Sequence, residues 1–196
     1  MSYPINEIFY SLQGEGFWAG RPAAFVRFSG CNLSCPFCDT DHAHFQDMGA
    51  LSILKALGEY TTDFVVLTGG EPSLYVDDKL VSLLHEAGKT VAIETNGTHK
   101  LPENIDWITL SPKDCYSKNA KVILEHADEL KLVFDAEYVE TIECYSSFNA
   151  KYFYLQPCDT GNIERNRVIT AATVDYCLTH PQWSLSLQQQ KILNIR

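Results

Sequence analysis

A chain of 196 residues with 45% hydrophobic, 12% aromatic and 20% charged side chains has the make-up of an ordinary globule with a sizeable core, which excludes disordered and fibrous classes. Fifteen basic residues against 25 acidic ones give a formal net charge of -10, a field that repels polyanions; a small-molecule partner is expected, with no nucleic acid and no membrane surface. No basic leader followed by an apolar run opens the chain and no apolar stretch reaches the ~18 residues of a membrane span, so a cytoplasmic protein of a single domain, residues 1–196, is expected.

In chain order, the run from Ile8 through Gln13-Gly14-Glu15-Gly16 comes first; it lacks the lysine of a phosphate-binding loop and opens no evident helix. Short apolar segments rich in β-branched and aromatic residues then predict strands at 24–28, 64–68, 91–94, 107–110, 130–134, 152–156 and 184–187. Helical spacing falls between them at 50–58, 77–87, 120–127, 136–146 and 163–177. Such alternation predicts an α/β fold with a mostly parallel sheet and right-handed crossovers. The length suits an incomplete, TIM-like barrel of about six βα units, because a closed eight-unit barrel typically takes ~250 residues.

Several of these strands end on polar residues: Thr68 before Gly69-Gly70-Glu71-Pro72, Glu94 before Thr95-Asn96-Gly97, then Ser111-Pro112-Lys113, and Gln156-Pro157. Sites in such folds lie at the carboxyl ends of the strands, so these residues should face one mouth. Arg27 alternates with apolar neighbours in the first core strand. A charge there requires a partner, either a carboxylate of the chain or the carboxylate of a ligand.

Seven cysteines are an odd number, and three of them, Cys31, Cys35 and Cys38, fall within eight residues. Thiols in a reducing compartment fit this better than a disulfide framework. Three converging sulfurs suit zinc or an iron–sulfur cluster. A zinc site would take His42 or His44 as its fourth ligand, but structural zinc sites usually pair two ligand knuckles and a second is missing from the sequence. In a cluster, three cysteines leave one iron open to another molecule.

The CxxxCxxC spacing of Cys31, Cys35 and Cys38, with Phe37 before the last cysteine and Gly69-Gly70-Glu71-Pro72 one βα unit later, resembles the radical S-adenosylmethionine (SAM) superfamily. The resemblance implies a 4Fe-4S cluster on the three cysteines and SAM chelating the open iron. It implies SAM contacts from Phe37, Cys38 and Asp39, from the Gly69 and Gly70 backbone where glycine permits close approach, from Glu94 to the ribose, from Ser111, Pro112 and Lys113, and from Gln156, Pro157, Cys158 and Asp159 to the adenine.

A second level of resemblance covers nearly the whole chain. The segments around Gln13 to Gly16, Phe25 to Cys31, Cys38-Asp39-Thr40 and Leu110-Ser111-Pro112-Lys113 are similar to the 7-carboxy-7-deazaguanine synthase family, lyases of queuosine and deazapurine biosynthesis that serve tRNA modification. This implies 6-carboxy-5,6,7,8-tetrahydropterin as substrate, held by Leu12, Gln13, Gly14, Arg27 and Thr68, and Mg2+ on Thr40, which by itself reads as an ordinary loop residue. The implied reaction is abstraction of the C6 hydrogen by a 5'-deoxyadenosyl radical, ring contraction and loss of ammonia, without a protein acid or base. A flavodoxin-type reductase and a homodimer are implied as partners. Two rivals are a glycyl-radical activating enzyme and a zinc-stabilised binding module without catalysis. The chain ends in Asn194-Ile195-Arg196 where many members carry a proline-containing tail, so no tail contact is assigned.

Overall fold

The computed structural model describes residues 2–38, 40, 41 and 44–196. All strands join one nine-stranded sheet in the order β3-β1-β2-β4-β5-β6-β7-β8-β9. β1 (Ser2–Leu12) pairs antiparallel with both β2 (Pro22–Phe28) and β3 (Gln46–Gly49). From β2 onward every pairing is parallel, through β4 (Phe64–Gly69), β5 (Thr90–Thr95), β6 (Trp107–Leu110), β7 (Ala127–Phe134), β8 (Ala150–Pro157) and β9 (Ser184–Leu185). The sheet is open, with β3 and β9 at its edges, as an incomplete barrel requires.

Helices make four of the six parallel crossovers: α1 (Ala50–Leu57), α2 (Asp78–Glu86), α3 (Val139–Tyr145) and α4 (Ile163–Thr179). Side-chain caps fix two of their starts, Asp77 accepting from the Leu80 amide and Asn162 from the Arg165 amide. One face of the central strands packs beneath the helices. Val26 and Phe28, Val65 and Leu67, and Val91 and Ile93 meet Ile53, Leu57, Leu80 and Leu84 in one core. Leu130, Leu132, Phe134 and Leu155 meet Ile142 and Ile169 in a second.

The opposite face changes character along its length because side chains alternate with period two. At the amino ends it is apolar, with Phe25, Phe64, Val66 and Ala92 packed against Trp18 and Trp107. At the carboxyl ends the same faces carry Arg27, Thr68, Glu94, Thr109, Lys131 and Gln156, all lining one cavity. An aromatic plug thus closes one end of the half-barrel and polar groups open the other.

Four elements depart from expectation, one of them the short edge strand β3. Residues 120–127 form no helix: Val122 packs against the second core while Ile123 is exposed and donates its amide to the Gly97 carbonyl. An apolar run pinned in this way to the neighbouring loop stays extended. The long strand β1 was not expected, since Pro4, Asn6 and Glu7 interrupt its alternation; its pairing with β2 accordingly shifts register between Ile5 and Glu7. A short helix α5 (Gln189–Leu193) follows β9. Among the described residues no helix is long and apolar enough to cross a membrane.

Candidate active site

A cavity of about 550 Å³ opens at the carboxyl ends of the parallel strands. Its wall includes Cys31, Cys35, Phe37, Cys38 and Thr40 from the loop after β2, Gly69 and Gly70 at the end of β4, and Ser111 and Lys113 after β6. Leu12, Gln13, Gly14, Arg27, Thr68, Glu94, Gln156, Pro157 and Asp159 complete the expected set. Pro112 and Cys158 stand apart from it. Pro112 is buried between its two cavity-facing neighbours, and Cys158, 5% exposed, packs in the second core. Asp39 and His42 lie outside the described residues. His44 turns from the cavity and pairs with Asp41 at 2.8 Å.

The cysteine loop is held from its own chain and from the next strands. Cys38 donates its amide to the Cys35 carbonyl, and the Leu33 amide approaches Cys31 Sγ at 3.4 Å. Asn32 accepts from Asn96 and donates to Thr98, fixing the loop to the turn after β5. Burial pushes the Cys31 and Cys35 thiols up, and the Lys113 ammonium draws Cys35 partly back. Among the described residues no three His, Cys, Asp or Glu donors gather closely enough to hold a single metal ion. Cluster thiolates each take their own iron, so three soft thiols spread along one cavity wall fit an iron–sulfur cluster as a donor set.

The turn after β4 supplies rigidity. Gly69 has φ +120°, and a side chain there would collide with the Phe28 backbone. Only this close approach lets the Gly70 amide reach the Phe28 carbonyl at 3.0 Å and the Glu71 amide the Gly30 carbonyl at 2.9 Å. Glu71, 1% exposed, accepts from the Ser73 amide, the Thr95 hydroxyl and the Asn96 amide. One buried residue thereby ties the turn after β4 to the end of β5 through its carboxylate and to the start of the cysteine loop through its amide.

Deeper in the cavity, Glu94 accepts from Thr68 Oγ1 at 2.8 Å and from Gln13 Nε2 at 3.1 Å. Lys113 donates to the carbonyl and hydroxyl of Ser111, both at 2.6 Å, and its burial lowers its pKa. Arg27 Nε donates to Glu7 Oε1 at 2.9 Å, and Arg196 holds the other Glu7 oxygen at 2.9 Å. The ion-pair alternative for Arg27 is therefore present, and the same side chain still lines the cavity.

Sequence reasoning missed one group of residues. Glu15, Lys131, Gln188, Gln190, Lys191 and Arg196 all line the cavity. Glu15 accepts from Lys131, Gln188 and Gln190. Gln190 Oε1 is buried without a hydrogen-bond partner. Lys191 pairs with Asp159 at 2.7 Å and pulls that carboxyl down to about 2. Lys131 carried a readable signal, a lysine between Leu130 and Leu132 in a core strand, of the same kind as Arg27. The C-terminal glutamines carried none, since their partner Glu15 lies about 170 residues away in sequence.

Three thiols on the loop after the first parallel strand, facing a glycine turn at the end of the next, define a radical SAM protein; the sequence model of the Radical SAM superfamily matches residues 25–132. Named relatives narrow this. The 7-carboxy-7-deazaguanine synthase of Bacteroides thetaiotaomicron is 50% identical with all of both chains covered, and that of Nitratidesulfovibrio vulgaris is 43% identical, again over the whole of both. A crystal structure of QueE from Escherichia coli superposes with a TM-score of 0.80 at 30% identity, covering 96% of this chain and 95% of that one. The chain belongs to the 7-carboxy-7-deazaguanine synthase family.

Proposed function

We propose that this chain, acting as one radical SAM domain, converts 6-carboxy-5,6,7,8-tetrahydropterin to 7-carboxy-7-deazaguanine with loss of ammonia. The observation that carries the reading is that the three thiols share one cavity with Arg27 and with the Gln13–Glu94–Thr68 network. When bound, the cluster on Cys31, Cys35 and Cys38 and the SAM on its open iron supply the one-electron chemistry that removes the substrate's C6 hydrogen.

The chain's own residues position and shield. Arg27, steered by Glu7, presents its planar fork to the substrate carboxylate. Gln190 Oε1, a buried acceptor without a donor, takes an N–H of the pyrimidinone ring. Glu94 receives the ribose hydroxyls, and Ser111 and Lys113 hold the rest of the cosubstrate. Thr40 offers an oxygen ligand to Mg2+, which prefers oxygen donors. The strand faces and α5 keep the reacting atoms from bulk water. The working enzyme is a cytoplasmic homodimer reduced by a flavodoxin-type donor.

Anaerobic incubation of reduced, cluster-replete protein with SAM, Mg2+ and the carboxytetrahydropterin should yield 7-carboxy-7-deazaguanine and ammonia in equal amounts. Absence of turnover, with a glycyl radical appearing on a partner protein instead, overturns the proposal.

A further inference from the structure

Strand β7 places two charged side chains, Glu129 and Lys131, on the inner face of the half-barrel. Lys131 is 6% exposed and Glu129 2%. A buried ammonium persists only with close partners. Lys131 Nζ lies 2.5 Å from Glu15 Oε2 and 3.8 Å from Glu94 Oε1. Burial acts to lower its pKa, but Glu15, Glu94 and Glu129 outweigh burial, so it stays charged. The same ammonium helps hold the Glu15 carboxyl well below the usual carboxylate range against the upward push of burial.

Glu15 belongs to the connection between β1 and β2, next to Gln13 and Gly14. Its other oxygen, Oε1, accepts from Gln188 Nε2 at 3.0 Å and Gln190 Nε2 at 2.9 Å. Those bonds turn the Gln190 carbonyl away from Glu15, since a flipped amide would set oxygen against carboxylate. The same connection is tied down by the Gly16 amide to Ser186 Oγ, the Phe17 amide to Glu129 and the Gln189 amide to the Gly14 carbonyl. A charge on β7 therefore sets the position of two distant segments, the loop at 13–17 and the segment at 188–190.

We infer that Lys131 is a positioning residue: by neutralising Glu15 it holds the Gln13–Gly16 loop and the Gln188 and Gln190 side chains where the substrate is received. The inference rests on the proposed function for its substrate, though not for the loop geometry. Without Lys131 the Glu15 carboxylate would sit buried beside Glu94, a like charge, with no ammonium between them, a situation that drives the loop outward.

Two measurements on Lys131→Met test it, each with the Glu15→Gln/Lys131→Met double variant alongside. In hydrogen exchange on the full chain, the Gly16, Phe17 and Gln189 amides should exchange at least about tenfold faster in K131M, with β4 amides unchanged, and recover in the double variant. In cluster-replete enzyme, KM for the carboxytetrahydropterin should rise at least about tenfold with kcat falling less, and again recover in the double variant. Unaltered exchange at the three amides, or a KM within about twofold of native, overturns the inference. A purely structural role would lower melting temperature and cluster content without splitting KM from kcat. If the native chain fails to turn over the pterin, the proposed function falls, and the exchange arm still decides whether Lys131 holds the loop.

Discussion

Replacing Gly69 by alanine isolates the contact on which the glycine turn depends. Gly69 pairs with Phe28 at the end of the parallel β2–β4 ladder with φ +120°, and an added Cβ would fall on the Phe28 carbonyl, 2.6 Å from its nitrogen and 3.0 Å from Arg27 Cγ. Two of these three atoms are backbone, so relief requires the two strands to part. The strained conformation costs about 1–3 kcal/mol, and the Gly70 amide bond to Phe28, stretched in the process, about 0.5–1.5 kcal/mol. Together these give about 2–4 kcal/mol, which for a chain of this length lowers the melting temperature by roughly 5–15 °C. Gly88→Ala is the control: its φ is +74° but nothing lies within 4 Å of the added carbon, so only the left-handed conformation is penalised, about 1–2 kcal/mol. Thermal unfolding by far-ultraviolet circular dichroism should place G69A clearly below G88A. A melting temperature for G69A within about 2 °C of native, or no lower than that of G88A, refutes the close-approach argument.

Other expectations follow from the same geometry. Glu71→Ala strips partners from the Ser73 amide, Thr95 hydroxyl and Asn96 amide; at about 1–3 kcal/mol for each buried unpaired group, it should melt below E71Q in parallel scans. Burial raises the Glu129 carboxyl from 4.5 to about 7. The folded chain therefore binds a proton that the unfolded chain has released, and the resulting stability is full below about pH 4.5 and lost as pH rises through about 7. E129Q should accordingly gain in melting temperature over the native chain at pH 8 and lose that advantage at pH 5. Cys35→Ala should abolish the cluster's visible absorption and the activity while far-ultraviolet circular dichroism stays near native. On the role proposed for it, Arg27→Ala should remove a charged hydrogen bond to the substrate carboxylate, about 1.5–3 kcal/mol, so that kcat/KM for the pterin falls by roughly 10–100-fold with the affinity for SAM little changed.

Periodicity made the central parallel strands legible because they bury a helix-facing row of Val, Ile, Leu or Phe. It also showed where those strands stop, since Thr68, Glu94 and Ser111 break the apolar run where solvent or a ligand begins. Residues 120–127 were misread for a related reason. Val122, Ile123 and Leu124 are apolar enough for a helix, but the Gly97 carbonyl takes the Ile123 amide, and that competition lies outside any local window. β1 stayed hidden because its polar residues meet partners on both flanking strands, leaving its own alternation weak.

The cavity's charges divide along the same line. Arg27 and Lys131 carry one signature, a cation flanked by apolar residues in a core strand, and the sequence says of each only that a counter-charge must be near. Which counter-charge decides the role. Arg27 meets Glu7 with both side chains about a quarter exposed, so its fork can be shared with an arriving carboxylate at small desolvation cost. Lys131 meets Glu15 with its own side chain 7% exposed and that of Glu15 14%, where exchanging partners would leave a buried carboxylate uncompensated. The first geometry suits binding and the second suits holding. Burial of the partner separates them, and that property is set by the loop and C-terminal segment that fold over the barrel mouth.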